Sequence, residues 1–359
     1  MKTKSYQSLF TGDIRISLKT AASVLSAYPA SAIALTKIGN GLHAAERRRA
    51  KNAESGTDIP PLLIVSTTEA CNLSCKGCYA CEQGRKTGEA LSDGRVSEIL
   101  SEASQLGVCV VMLAGGEPLL SDVWLHAMTR HSELLGLVFT NGTLLDERRC
   151  AWFAEHRHII PVISIEGDAA RTDARRGAGI FETVHAAMDR LRESGIPFGL
   201  SVTITNQNID GILTRDFNLD YIQKGCRLFV YVEYVPVEAE TEPHVLRKSD
   251  KKRLSDFAAQ SKRNHPALFV AFPGDEKPYG GCLAAGRGFI HISADGAVEP
   301  CPFAPFSDVN LKNASLKETL NSAFLAKVRE NHHLLVEGDG GCALWHNREW
   351  LIGLLPERV

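Results

Sequence analysis

Six short apolar runs lie between residues 62 and 235, and stretches of helical periodicity separate them. No other feature constrains the fold as much. Leu62–Val65, Val108–Leu113, Gly136–Thr140, Ile159–Ile165, Phe198–Thr203 and Leu228–Val235 read as strands. Val108–Leu113 is wholly apolar, as a strand covered on both faces must be. Pro161 lacks a ladder donor and sits awkwardly at the start of its strand. Between strands, Ser92 caps a helix with Val96, Ile99, Leu100, Ala103 and Leu106 on one face and Gly107 at its end. A second helix is expected around Asp122–Arg130. A third carries Phe181, Val184, Met188 and Leu191 and closes at Gly195. Alternating strands and helices give a parallel sheet, and six such repeats imply a sheet curled into a partial barrel.

The 359 residues suggest two domains, or one with an appendage. The formal charge of −2 gives no general pull toward nucleic acid, and no basic stripe appears. Residues 1–52 carry nine Lys or Arg against two acids. There, Ala21 to Ile38 is too polar and interrupted to span a membrane and reads as two short helices packed on the core. Arg47-Arg48-Arg49 reads as a solvated helix face. Residues 53–60 read as a linker. No secretory pattern opens the chain, so a cytoplasmic location with reduced thiols is expected.

Cys71, Cys75 and Cys78 form a C-x3-C-x2-C loop just after the first strand. A closed zinc site takes four ligands, usually as two pairs, and no His follows at finger spacing. Three thiolates suit three corners of a cubane iron–sulfur cluster, leaving one iron open to a ligand.

With Tyr79 after the third Cys, this loop resembles the cluster loop of the radical SAM superfamily. Gly115-Gly116-Glu117-Pro118 resembles that family's GGEP motif, and Thr140-Asn141-Gly142-Thr143 its TNGT turn. Ser164-Ile165-Glu166-Gly167 is similar to its SxDG strand end, with Glu in place of Asp. Asp173 to Gly177 resembles the DxxRG element of the branch with extra clusters. The first four of these fall at the C-terminal end of an expected strand or just beyond it, where parallel barrels build their sites. The resemblance implies a [4Fe-4S] cluster on Cys71, Cys75 and Cys78, whose open iron chelates S-adenosylmethionine. It places Gly115, Gly116 and Glu117 at the methionine amine, Ser164 and Glu166 at the ribose, and Asn141 as a further ribose contact. Arg176 is the candidate for the carboxylate, and Tyr79 and Tyr234-Val235-Pro236 would pack on adenine.

Gly280-Gly281-Cys282 precedes a hairpin pattern, Ile290–Ser293 and Ala297–Glu299 about Asp295-Gly296, and then Cys301. This C-x(n)-G-x4-C spacing resembles the SPASM or twitch auxiliary-cluster domain, with Cys342 as a third thiolate. Twitch relatives usually supply four Cys, so the fourth position would fall to Asp339, His346, solvent or substrate. Cys81, Cys109, Cys150 and Cys226 read as unliganded, Cys81 alone as a candidate functional thiol.

The expected architecture is α/β: a helical extension over 1–58, a partial (β/α)6 barrel over 59–238, and a small α+β auxiliary-cluster domain over 239–359. The implied activity is reductive cleavage of S-adenosylmethionine and hydrogen abstraction from a small-molecule or peptide substrate. Ferredoxin or flavodoxin would supply electrons. Residues 1–58 are too short for the winged-helix leader-binding domain of many peptide maturases. A non-catalytic iron–sulfur sensor is the alternative of another class; it would need neither Gly115–Glu117 nor Ser164 and Glu166.

Overall fold

The structure is a computed structural model that describes residues 18–83, 88–237, 243–272, 281–335 and 342–356. One nine-stranded sheet organises it, in spatial order β7-β6-β5-β4-β3-β2-β1-β8-β9. The first six strands are β1 (Leu62–Ser66), β2 (Val110–Ala114), β3 (Leu135–Thr140), β4 (Ile159–Ile165), β5 (Phe198–Ile204) and β6 (Cys226–Glu233). They pair in parallel in chain order, as the alternation predicts. The sheet then grows at both ends. β7 (Leu268–Phe272) adds in parallel to β6, and β8 (Phe289–Ile292) adds in parallel to β1. β9 (Val298–Glu299) closes the expected hairpin, antiparallel to β8. The expected boundary at 238/239 lies outside the described residues. Pro161 sits inside β4 opposite Val138. Pairing of β4 with β5 begins one residue later, at Val162, beyond the missing donor.

The helices start where the sequence caps them. In α3 (Asp93–Leu106), Ser92 Oγ accepts from Arg95 N at 3.3 Å. In α6 (Ala169–Arg176), Asp168 accepts from Arg171 N at 2.9 Å. The buried stripe of α3, including Val96, Ile99 and Leu100, faces the core, as expected.

The N-terminal segment departs from expectation. It forms α1 (Leu18–Ala27) and one long helix α2 (Ala32–Glu54), which continues into the expected linker. The length of α2 changes the fate of one of the three arginines. Arg49 is buried, and its guanidinium donates to Gly107 O, at the C-terminal end of α3. Arg48 donates to Ser104 O at 2.7 Å. Cations there satisfy orphan carbonyls and complement the helix dipole. Arg49 is therefore buried rather than solvated, whereas Arg47 and Arg48 remain exposed as expected. Leu35, Ile38 and Leu42 of α2 close an apolar cavity of about 280 Å³ against Ile64, Met112 and Val230 on one face of the sheet.

Candidate active site

The cluster loop is exposed at Cys71 and half-buried at Cys75 and Cys78. The motifs flanking it in the barrel hold it by hydrogen bonds. Gly116 N donates to Thr68 O and Glu117 N to Ala70 O, both at 2.8 Å. A Cβ on Gly115 would fall 2.5 Å from Thr68 O, and one on Gly116 would fall 2.1 Å from Ala70 O. Glycine is therefore required there for the loop backbone to dock on β2, whatever else it admits. Asn141 Nδ2 donates to Asn72 Oδ1, and Asn72 Nδ2 to Thr143 Oγ1, both at 2.8 Å. Asn141 Nδ2 also lies 3.9 Å from Cys71 Sγ. Lys76 N donates to Arg175 O at 2.9 Å, fixing the far side of the loop to α6.

Glu117 is buried and ties two strand ends together. Its Oε1 accepts from Thr140 Oγ1 at 2.7 Å and Leu119 N at 3.0 Å, and its Oε2 accepts from Asn141 N at 2.8 Å. Burial raises its pKa against these donors. Oε2 retains capacity for a second donor.

Glu166 is also buried, and its Oε1 takes two guanidinium groups. Arg175 Nη1 and Arg176 Nη2 both approach at 2.6 Å, and Arg176 Nε at 2.9 Å. Two arginines against one carboxylate leave a net positive charge beside Cys75, and both act on that thiol. Ser164 is half-buried on β4, opposite Ser201. Tyr79 packs on Phe303, ring centroids 4.7 Å apart. Tyr234 Oη is buried with no hydrogen-bond partner among the described residues, and a Cβ on Gly77 in the cluster loop would fall 2.4 Å from it.

Burial raises the pKa of the Cys71 and Cys75 thiols. Cys81 is pushed up to about 11 by burial and by its neighbour Cys78. No three His, Cys, Asp or Glu among the described residues are set to hold a single metal ion. A cubane offers each thiolate its own iron and so accepts a wider spread. Thiols at family spacing, the surplus positive charge and the orphan Tyr234 hydroxyl at the loop all fit a large anionic group with a polar ligand.

The second cysteine set also converges. Cys282, Cys301 and Cys342 are buried. Burial pushes the Cys301 thiol well up, and the proximity of Cys342 and Cys282 adds to the rise. Of the two expected side-chain fourth ligands, Asp339 lies outside the described residues. His346 is exposed on the turn after Cys342, whereas the thiols are buried. Gln83 Nε2 donates to Pro302 O at 3.1 Å and, with the Tyr79–Phe303 contact, joins the two cysteine regions.

Sequence reasoning missed a buried chain across β1, β8 and β9. Ser66 Oγ lies 2.9 Å from His291 Nε2, and His291 Nδ1 lies 2.7 Å from Glu299 Oε2. His291 and Glu299 face each other across the hairpin. A polar pair at those two positions of an otherwise apolar hairpin was the available signal.

The sequence profile of the radical SAM superfamily matches residues 65–214. The chain belongs to the radical SAM superfamily. It is 27% identical over 313 residues to the AdoMet-dependent heme synthase of Methanosarcina barkeri, covering 77% of this chain and 87% of that one. The pre-heme d1 synthase of Dinoroseobacter shibae is 27% identical over 79% of each chain. The PqqA peptide cyclase of Gluconobacter oxydans is 26% identical, over 73% of this chain and 77% of that one. Among solved structures, Streptococcus suis SuiB bound to S-adenosylmethionine superposes with a TM-score of 0.62 at 20% identity, over 78% of this chain and 70% of that one. That likeness shows the half-barrel fold. As a radical SAM enzyme the protein uses a [4Fe-4S] cluster and S-adenosylmethionine. No helix among the described residues is long and apolar enough to cross a membrane.

Proposed function

We propose that this radical SAM enzyme is an oxidoreductase that removes a hydrogen atom from a small-molecule or peptide substrate. In this reading Cys71, Cys75 and Cys78 hold the cluster, and S-adenosylmethionine lies on its open corner. Once reduced, that pair supplies a 5′-deoxyadenosyl radical. The protein's own residues orient and shield. Glu117 Oε2 accepts from the methionine ammonium while its other contacts keep β2 and β3 in register. Ser164 and Glu166 face the ribose, with Asn141 completing that side. Arg176 turns one edge to Glu166 and favours the carboxylate by charge. Tyr79 and Tyr234 bound the adenine side. Cys282, Cys301 and Cys342 hold an auxiliary [4Fe-4S] cluster, and a ferredoxin or flavodoxin delivers electrons.

One observation carries this reading: three separate segments, those after β2 and β3 and the helix after β4, spend hydrogen bonds on one three-thiol loop. The small-molecule version draws support from the heme and pre-heme d1 synthases among the relatives. The peptide version draws support from the PqqA peptide cyclase. Anaerobic enzyme, reconstituted with iron and sulfide and given S-adenosylmethionine and dithionite, should release 5′-deoxyadenosine. Adding carboxylated tetrapyrroles or short peptides should accelerate release with one class and change that substrate's mass. No 5′-deoxyadenosine from iron-replete protein would refute the proposal.

A further inference from the structure

Cys81 is left out of both proposed ligand sets, and the local fold aims it at a ligand. Cys78 is the N-cap of the helical turn Tyr79–Glu82, with extended backbone, which makes Cys81 the third residue of that turn. Side chains at the cap and at the third position face each other, which is the basis of the capping box. The turn is closed: Cys81 N and Glu82 N both donate to Cys78 O, at 3.1 and 3.0 Å. Such a turn keeps the Cα atoms of its ends under about 7 Å, within the span a disulfide can bridge. The Cys78 thiol is near enough to raise the pKa of Cys81. Cys75 stands at the same sequence spacing on the other side of Cys78. The turn at Lys76-Gly77 separates them. Cys81 is exposed, whereas Cys109, Cys150 and Cys226 are buried and out of reach of solvent oxidants.

We propose that Cys78 and Cys81 form a reversible disulfide when oxidant strips the radical cluster, so that Cys81 preserves a cluster ligand. This rests on Cys78 being such a ligand. Freed of iron, Cys78 is attacked by a peroxide-class oxidant. Its thiolate displaces one peroxide oxygen, giving sulfenic acid and, with a proton, water. The Cys81 thiol then displaces the sulfenic oxygen as a second water, closing the S–S bond. Two thiols lose two electrons and the peroxide gains them. Without a resolving thiol the sulfenic acid goes on to sulfinic acid, which thiol reductants do not restore.

The test uses full-length wild type and Cys81→Ser, prepared without oxygen. Iron content and 5′-deoxyadenosine release before oxidation report on the ligand assignment separately. Iron is then removed with a chelator, hydrogen peroxide is added, and thiols are mapped by alkylation and peptide mass. Untreated Cys81→Ser should match wild type in iron. After peroxide, wild type should carry a Cys78–Cys81 bridge, which dithiothreitol opens, and reconstitution should restore its iron. Cys81→Ser should carry sulfinic acid at Cys78 and recover several-fold less iron. A Cys75–Cys78 bridge in wild type, or equal recovery by the two proteins, would overturn the proposal. So would iron loss in untreated Cys81→Ser, which would make Cys81 a ligand.

Discussion

Replacing Glu117 tests whether it is a tie between strands, a cofactor contact, or both. Glu117→Ala leaves Leu119 N, Thr140 Oγ1 and Asn141 N without their acceptor in a buried site. An unpaired buried donor costs about 1–3 kcal/mol. The three share one carboxylate and relax together, so the total should exceed one such penalty but fall short of three, about 3–5 kcal/mol. Glu117→Gln is milder. Its carbonyl can still serve Leu119 and Thr140, but its amide meets the Asn141 N–H donor to donor. That one mismatch should cost about 1–3 kcal/mol. Urea unfolding of the iron-free protein should rank the midpoints wild type, Glu117→Gln, Glu117→Ala, at unchanged slope. Asn141 is the next link, because its amide reaches Asn72 in the cluster loop. S-adenosylmethionine affinity should therefore fall in both variants.

The direction of the Glu117 shift adds a pH test. Burial raises its folded pKa above the usual carboxylate range. The folded state then binds the proton more tightly than the unfolded chain. This contribution to stability is full below the unfolded pKa, about 4.3. It is lost as pH rises from there through the raised folded value. Glu117→Gln cannot titrate, so that part of the pH dependence should vanish. An unchanged urea midpoint in Glu117→Ala, or the same pH profile in Glu117→Gln, would refute the buried-tie argument.

Three further outcomes follow from the same geometry. Cys71→Ala, Cys75→Ala or Cys78→Ala should each abolish 5′-deoxyadenosine release while circular dichroism stays native; normal release from any of them would remove the ligand assignment. Reconstituted wild type should carry about eight irons, falling to about four in Cys282→Ala/Cys301→Ala; four in wild type would end the auxiliary-cluster proposal. Arg49→Met should destabilise the fold by about 1.5–3 kcal/mol, the worth of a hydrogen bond to a charged donor, whereas Arg47→Met should leave the urea midpoint unchanged because Arg47 is exposed.

The sequence made the sheet and its polar ends legible because both signals are local. Short, fully apolar runs bounded by turn residues suit strands covered on two sides, and a cap such as Ser92 marks its helix start. What escaped was set by distant partners. Arg49 reads as one of three surface arginines until α2 continues past it and brings it to the end of α3. Tyr79 reads as an adenine neighbour because it follows Cys78, and nothing local says that its ring also meets Phe303, more than two hundred positions away. Glu117 and Glu166 were legible as polar strand-end residues. Their partners, Thr140 with Asn141 and the two arginines, were not, since no local rule says which neighbours a carboxylate will take.

The contacts that escaped detection also explain why β8 and β9 belong beside β1. β8 could have packed as a separate hairpin, but it pairs in parallel with the strand that leads into the cluster loop. Ser66 ends that strand, and Glu299 stands just before Cys301. The Ser66–His291–Glu299 chain thus spans from one cysteine region to the other through buried hydrogen bonds. Gln83 and Tyr79 make a second link outside the sheet. A single link would leave a hinge; two, on different elements, fix both distance and angle. With clusters at both cysteine sets, as proposed, electron transfer and substrate placement between them would require such fixed geometry. The cost of burying His291 and Glu299 is offset by their mutual pairing. That expense is physically reasonable where position matters more than stability.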